Sequence, residues 1–211
     1  INEHYRKHII TIEDPIEFVH DNKKSVVTQR EVGQHTDGFA EALRAAVRED
    51  PDVILVGEMR DLETISLALT AAELGLLVFG TLHTSSAAKT IDRVIDVFPA
   101  GRQPMVRTML SESLQAVVSQ LLMKQKDGKG RVAGLEILLR REGLSNMIRE
   151  GAVSKITSMI EMGQASGMQL MDNALMKYLK DGVIDGDTAY MKAFQKARFE
   201  EFRSDAVPAE A

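Results

Sequence analysis

The sequence predicts an α/β fold with a mainly parallel sheet, followed by a small helical segment. Three observations predict it. Short apolar runs rich in β-branched residues alternate with amphipathic helical stretches from Ile9 to Pro99. Three of those runs end in polar strings, as strands of a parallel-sheet enzyme do at their carboxyl ends. Beyond Gly143 the pattern turns to short helices punctuated by Gly151, Gly163, Gly167 and Gly182.

Ile9, Ile10 and Ile12 read as a buried strand closed by Asp14-Pro15. Val26, Val27 and Thr28 follow a polar turn as a short second strand. Phe39 to Arg48 carries Phe39, Leu43, Ala46 and Val47 on one helical face, and Asp50-Pro51 stops it. Val53 to Val56 is wholly apolar and suits a central parallel strand. Leu62 to Glu73 reads as a helix with Gly75 as its C-terminal cap. Leu76 to Phe79 is a further strand, and Ala87 to Val97 a helix ended by Pro99. Met105 to Gln125 has a mostly helical pattern, with a strand expected near its end. Asp127-Gly128-Lys129-Gly130 is a turn into a strand over Val132 to Leu139, giving a hairpin. Helices are expected over Ser145–Glu150, Lys155–Met162, Gln169–Asp181 and Asp187–Lys196. The expected organisation is a core over 1–142, a helical subdomain over 143–203 and a frayed tail over 204–211.

Composition narrows the class. With 44% hydrophobic and 27% charged residues, the chain has an ordinary globular balance. A net charge of −5 gives no general pull toward nucleic acid, and none is expected as a partner. The absence of cysteine excludes disulfides and thiolate zinc sites. No apolar run spans a bilayer and no signal peptide is visible, so a cytoplasmic location is expected. The chain opens on Ile1 and is expected to start inside a domain.

Three strand ends carry candidate chemistry. Glu58 follows an apolar strand through Gly57, and a carboxylate there can hold magnesium or polarise an attacking water. Glu17 and Asp14 flank Pro15, where turn chemistry is the competing explanation, favoured for Asp14. His83 stands in Gly80-Thr81-Leu82-His83-Thr84, and a lone histidine is as readily structural. Phosphate contact has five arginine candidates: Arg30, Arg44, Arg48, Arg60 and Arg93. Arg60 could equally pair with Asp61 on the surface. The 11 methionines suit adaptable core packing or a helix-docking surface.

These strings resemble a known family. ITIEDPIEFVH (Ile10 to His20) looks like the aspartate box of secretion-type ATPases, ILVGEMRD (Ile54 to Asp61) like their Walker B motif, and FGTLHTSSAAKTIDR (Phe79 to Arg93) like their histidine box. QREVG (Gln29 to Gly33) fits the segment between the first two. The resemblance runs from about His8 to Asp185 and is nearest to the pilus retraction ATPases of the PilT type. It implies a RecA-like P-loop ATPase core that uses ATP and Mg2+. Glu17 would help activate the attacking water, and Glu58 would act on magnesium and on that water. His83 and Arg60 would sense the nucleotide phosphates. The family implies a homo-hexamer driving type IV pilus retraction and twitching motility, held at the inner membrane through a pilus platform protein. An accessory retraction ATPase is a further implied partner.

Two departures stand out. No G-x-x-x-x-G-K-[ST] phosphate loop occurs in the 211 residues. It would lie upstream of Ile1, so the chain as given is expected not to hydrolyse ATP. The retraction motors also share an A-I-R-N-L-I-R-E motif, which here reads GLSNMIRE over Gly143 to Glu150. Asn146, Ile148, Arg149 and Glu150 match it as motor-coupling residues, while Ser145 replaces the first arginine. Packing alone is the other explanation of that helix. Pilus assembly and type II secretion ATPases are the alternative within the class, but they typically carry a four-cysteine zinc module. A non-catalytic ring-interaction fragment is the alternative outside it.

Overall fold

A computed structural model describes residues 1–204 of the chain. Residues 1–83 with 94–113 form one compact unit. Residues 84–93 with the chain from Leu114 onward form a second. The expected frayed tail falls, beyond Ser204, outside the described residues.

The first unit is built on a four-stranded parallel sheet. Strands β1 (His8–Glu13), β2 (Val26–Glu31), β3 (Val53–Val56) and β4 (Leu77–Gly80) lie in the order β2-β1-β3-β4. Ile12 sits opposite Arg30 on one side and Val56 on the other, and Val56 sits opposite Gly80. All four carboxyl ends therefore share one edge of the sheet. Ile10, Ile12, Ile54 and Val56 are fully buried, as strands covered on both faces require. They pack with Ala42, Leu43 and Ala46 of α1 (Phe39–Ala46) and with Ala68 of α2 (Leu62–Glu73).

Local chemistry sets the helix ends. Asp61 begins α2 by accepting a hydrogen bond from the Thr64 amide at 2.9 Å. Its other oxygen accepts from the Thr64 hydroxyl at 2.7 Å. Gly75, at φ +95°, ends α2 in the left-handed conformation that glycine adopts without steric cost. The amides of Gly75 and Leu76 then return to Ala72 and Ala71, closing a Schellman turn. Helix α1 stops two residues early, and Val47–Glu49 tightens into a 3₁₀ turn. Helix α3 (Ala87–Asp96) starts in the second unit and ends in the first, where α4 (Gln103–Ser113) packs on α2.

The second unit contains an antiparallel hairpin, β5 (Ala116–Lys124) and β6 (Arg131–Leu139). In the stretch from Met105 to Gln125, expected to be mostly helical with a strand near its end, the helix ends at Ser113 and the strand takes over from Ala116. Alternation decides this: Val117, Ser119 and Met123 are buried while Val118, Gln120 and Leu122 face out, a period of two. The hairpin clusters with the helices that follow it. Met123 shares a core with Met171, Leu175, Ile184 and the fully buried Phe199. Methionine thus serves core packing here.

Those helices are α5 (Leu144–Arg149), α6 (Ile156–Met162), α7 (Met171–Lys180) and α8 (Gly186–Lys192). Helix α8 stops short of the expected Lys196. The buried Asp172 carboxylate captures the amides of Phe194 and Gln195 at 2.9 and 2.8 Å, which holds the chain out of helical register. Among the described residues no helix is long and apolar enough to cross a membrane.

Candidate active site

The carboxyl edge of the parallel sheet assembles the site in the first unit. Glu58 lies two residues past the end of β3, and His83 three past the end of β4. One backbone bond and one side-chain bond hold these two exits side by side: Met59 N–H donates to Thr81 O at 3.0 Å, and the Thr81 hydroxyl donates to Gly57 O. The Met59 side chain covers Gly80, where a Cβ would lie 2.4 Å from its methyl carbon. A side chain at position 80 would displace Met59 and loosen this alignment.

Glu58 is 22% exposed and carries two cationic or hydrogen-bonding neighbours. The Arg60 guanidinium grips both carboxylate oxygens, Nη2 to Oε1 at 2.7 Å and Nε to Oε2 at 2.5 Å. Fork-shaped pairing of this kind is the strong form of a carboxylate bond. His83 Nε2 stands 3.2 Å from Oε1. Both partners are open to solvent, at 71% for Arg60 and 80% for His83, so a ligand can reach them.

The guanidinium beside Glu58 holds its carboxyl below the usual carboxylate range; partial burial opposes this and His83 adds to it. The sign of the pH effect follows. A carboxylate with a depressed folded pKa stabilises the fold above its unfolded value, and that contribution is lost as pH falls through the folded value. Arg60→Ala should move the Glu58 titration midpoint upward, toward the ordinary carboxylate range. Side-chain carboxyl carbon NMR against pH reads this directly. An unmoved midpoint would show that the fork does not control Glu58.

The other candidates fall differently. Arg60 turns to Glu58 and not to Asp61, because Asp61 is engaged as the cap of α2. Arg30 is taken up by both oxygens of Glu49, at 2.7 and 2.8 Å, and Arg44 by Glu63. Arg48 and Arg93 are exposed. Asp14 is exposed beside Pro15. Glu17 is exposed in the loop after β1, and none of Glu58's contacts involves it. The structure therefore joins Glu58, Arg60 and His83 by direct contacts, of which Glu17 makes none.

Glu17's loop is braced by residues that residue-level reasoning did not single out. Gln29 of β2 accepts from the His20 amide at 2.7 Å and donates to Phe18 O at 2.9 Å. Glu31 accepts from the Ile16 amide at 2.9 Å. Both lie in the QREVG string, whose only signal was its place between two motifs. In the second unit, Asn146 and Arg149 are exposed on α5 and bonded to each other, and Glu150 is exposed just beyond. Ile148 is fully buried. A surface role fits the first three; Ile148 anchors the helix from beneath and offers no surface of its own.

The sequence model of the type II/IV secretion system protein family matches residues 1–203. The chain belongs to this family. Its similarity is to the PilT-type members. It is 61% identical over 193 residues to a twitching motility protein of Neisseria gonorrhoeae, an overlap of 92% of this chain and 52% of that one. It is 62% identical over 186 residues to the type IV pilus retraction ATPase PilT of Pseudomonas aeruginosa, covering 88% of this chain and 54% of that protein. A crystal structure of the pilus retraction motor PilT with bound ADP superposes with a TM-score of 0.87 at 48% identity. It covers 95% of this chain and 56% of the solved one. The α/β fold with a parallel sheet is that of this family. The chain spans about half the length of the curated relatives it matches.

Proposed function

We propose that this chain is the water-activating part of an ATP-driven motor for type IV pilus retraction. The observation that carries the reading is the Glu58–Arg60 fork beside His83, at the carboxyl ends of adjacent parallel strands. Glu58 is the charged base that orients and polarises the attacking water. Arg60 and His83 are exposed donors that meet developing phosphate charge. Glu17 completes the site on its braced loop, once nucleotide and the rest of the protein surround it.

The donor set suits magnesium. Among the described residues no cluster of three or more acidic or histidine side chains is placed to hold a metal. Magnesium commonly takes one or two carboxylates, with the substrate's phosphates supplying further ligands, and Glu58 offers one. When bound, the ion would neutralise phosphate charge during transfer.

The working form of the proposal is a hexamer at the cytoplasmic side of the inner membrane, acting on a pilus platform protein. An accessory retraction ATPase is a further partner. Asn146 and Arg149 on the outward surface of α5, with Glu150 just beyond its end, are the motor-coupling candidates. In the full-length protein, ATP hydrolysis should require magnesium. The 211 residues alone contain no G-x-x-x-x-G-K-[ST] loop, so they should bind ATP weakly or not at all. Calorimetric titration and a phosphate-release assay test the two statements. Micromolar ATP affinity of the 211 residues would remove the argument for a separate phosphate grip, and a full-length protein without hydrolysis would overturn the function.

A further inference from the structure

One face of the β1–β2 pair turns polar toward the carboxyl edge of the sheet. Thr11 and Glu13 of β1 stand opposite Gln29 and Glu31 of β2, so the four side chains share a face. Glu13 and Glu31 are directly opposed carboxylates, and both are only partly exposed. Such an arrangement costs stability unless each carboxylate meets donors. Glu13 Oε1 accepts from the Thr11 hydroxyl at 2.5 Å and from Gln29 Nε2 at 3.0 Å. Glu31 accepts from the Ile16 amide at 2.9 Å and from the Gln34 side chain.

The Gln29 carboxamide is engaged at both ends. Its NH2 carries two protons, and two acceptors stand within reach: Glu13 Oε1 at 3.0 Å and Phe18 O at 2.9 Å. Its oxygen accepts from the His20 amide at 2.7 Å. Reversing the carboxamide would aim its oxygen at two acceptors and its nitrogen at a donor, so Glu13 helps to fix which way it points. The groups that Gln29 grips follow Glu17 in the chain, and the amide that Glu31 grips precedes it. Glu17 is thus the exposed residue between two stretches of backbone fastened to β2.

We propose that Gln29, oriented by Glu13, is a positioning residue for Glu17. Every contact in this clamp lies within the first unit. An acid on an unfastened surface loop spreads over many positions, and a misplacement on the order of 1 Å can cost about a hundredfold in rate. Holding the backbone on both sides of Glu17 to β2 limits that spread while leaving the side chain open to a ligand. The clamp needs a donor between positions 13 and 29, which packing alone would not. This rests on the proposed function and deepens it, because it takes Glu17 as a group that acts on the attacking water.

The test uses the full-length protein, with Gln29→Ala, Gln29→Glu, and Gln29→Glu combined with Glu13→Gln. Magnesium-ATP kinetics is read beside hydrogen exchange, followed by mass spectrometry over the loop that carries Glu17 and His20. Gln29→Ala removes the acceptor of the His20 amide, so exchange there should quicken roughly fivefold. It should lower kcat about tenfold and leave KM within about twofold. Gln29→Glu turns a carboxylate toward Glu13 and Phe18 O, and kcat should fall at least as far. Adding Glu13→Gln returns a donor between the two side chains and should raise kcat at least about threefold over Gln29→Glu alone. Should Gln29→Ala prove too unstable to assay, that rescue carries the test. Unchanged exchange in Gln29→Ala, faster exchange with kcat intact, or no rescue in the double variant would overturn the positioning role. Full kcat in Glu17→Gln would count against the proposed function's use of Glu17 instead, and the exchange arm would still decide whether Gln29 holds the loop.

Discussion

Glu58→Gln in the full-length protein should cut magnesium-dependent ATP hydrolysis by roughly two to four orders of magnitude, the span that general acid–base groups supply. The substitution keeps the side chain's shape and removes its charge. A neutral amide is a far weaker base toward water, so the loss falls on kcat. Nucleotide affinity, set by phosphate contacts elsewhere, should change little, and KM should hold within a few-fold. The fold should survive, because Arg60 is 71% exposed and loses no buried partner. Pairs this open to solvent contribute little to stability. Steady-state kinetics beside a melting curve separates the two effects. A rate within twofold of wild type would remove Glu58 from the chemistry, and a collapse in melting temperature would recast it as structural.

The central strands β1 and β3 were legible because they are mostly buried, whereas β2 and β4 are more exposed and were read from short β-prone or apolar runs. Runs such as Val53 to Val56 have no amphipathic alternative, and Pro51 and Gly75 mark helix ends by local chemistry that needs no tertiary context. The strand order was not legible. It follows from which apolar faces meet, and β2 lies outside β1 while β3 and β4 follow on its other side. Strand β5 was partly hidden, since an apolar stretch running on from α4 gives an ambiguous period until its partner fixes which residues turn inward. In the site, the polar ends of β3 and β4 announced Glu58 and His83, because carboxyl ends of parallel strands converge. The partner of Arg60 was beyond sequence reasoning: Glu58 and Asp61 are near in sequence, and only the helix cap takes Asp61 out of reach. Ile148 matched a motif and proved to be core, since a pattern match does not say which face of a short helix is covered. The buried Glu136 of β6 left one trace, a carboxylate between apolar neighbours in a strand, and buried charge of that kind is worth following even when no motif contains it.

Gly57→Ala should strike both fold and chemistry, and the reason is a close approach of two backbones. A Cβ at this position would lie 2.9 Å from the Ile12 carbonyl oxygen and 3.2 Å from the Glu13 Cα. Both atoms belong to the neighbouring strand β1, so no side-chain rotation relieves the contact. The same Ile12 oxygen accepts the Gly57 amide at 2.7 Å. Making room therefore means prising the end of β3 from β1 and giving up that bond. Forcing extra volume into a packed site costs about 1–3 kcal/mol, and the lost backbone bond adds about 1 kcal/mol. Glu58 is the next residue, so the displaced backbone carries the carboxylate with it. A misplacement on the order of 1 Å can cost about a hundredfold in rate. Gly57→Ala should thus lower the denaturation midpoint and, at a temperature where it remains folded, hydrolyse ATP roughly a hundredfold more slowly. Gly101→Ala is the control, since a Cβ there meets nothing within 4 Å. If Gly57→Ala matched Gly101→Ala in both stability and rate, the two strands would not approach as closely as described, and the placement of Glu58 would need another support.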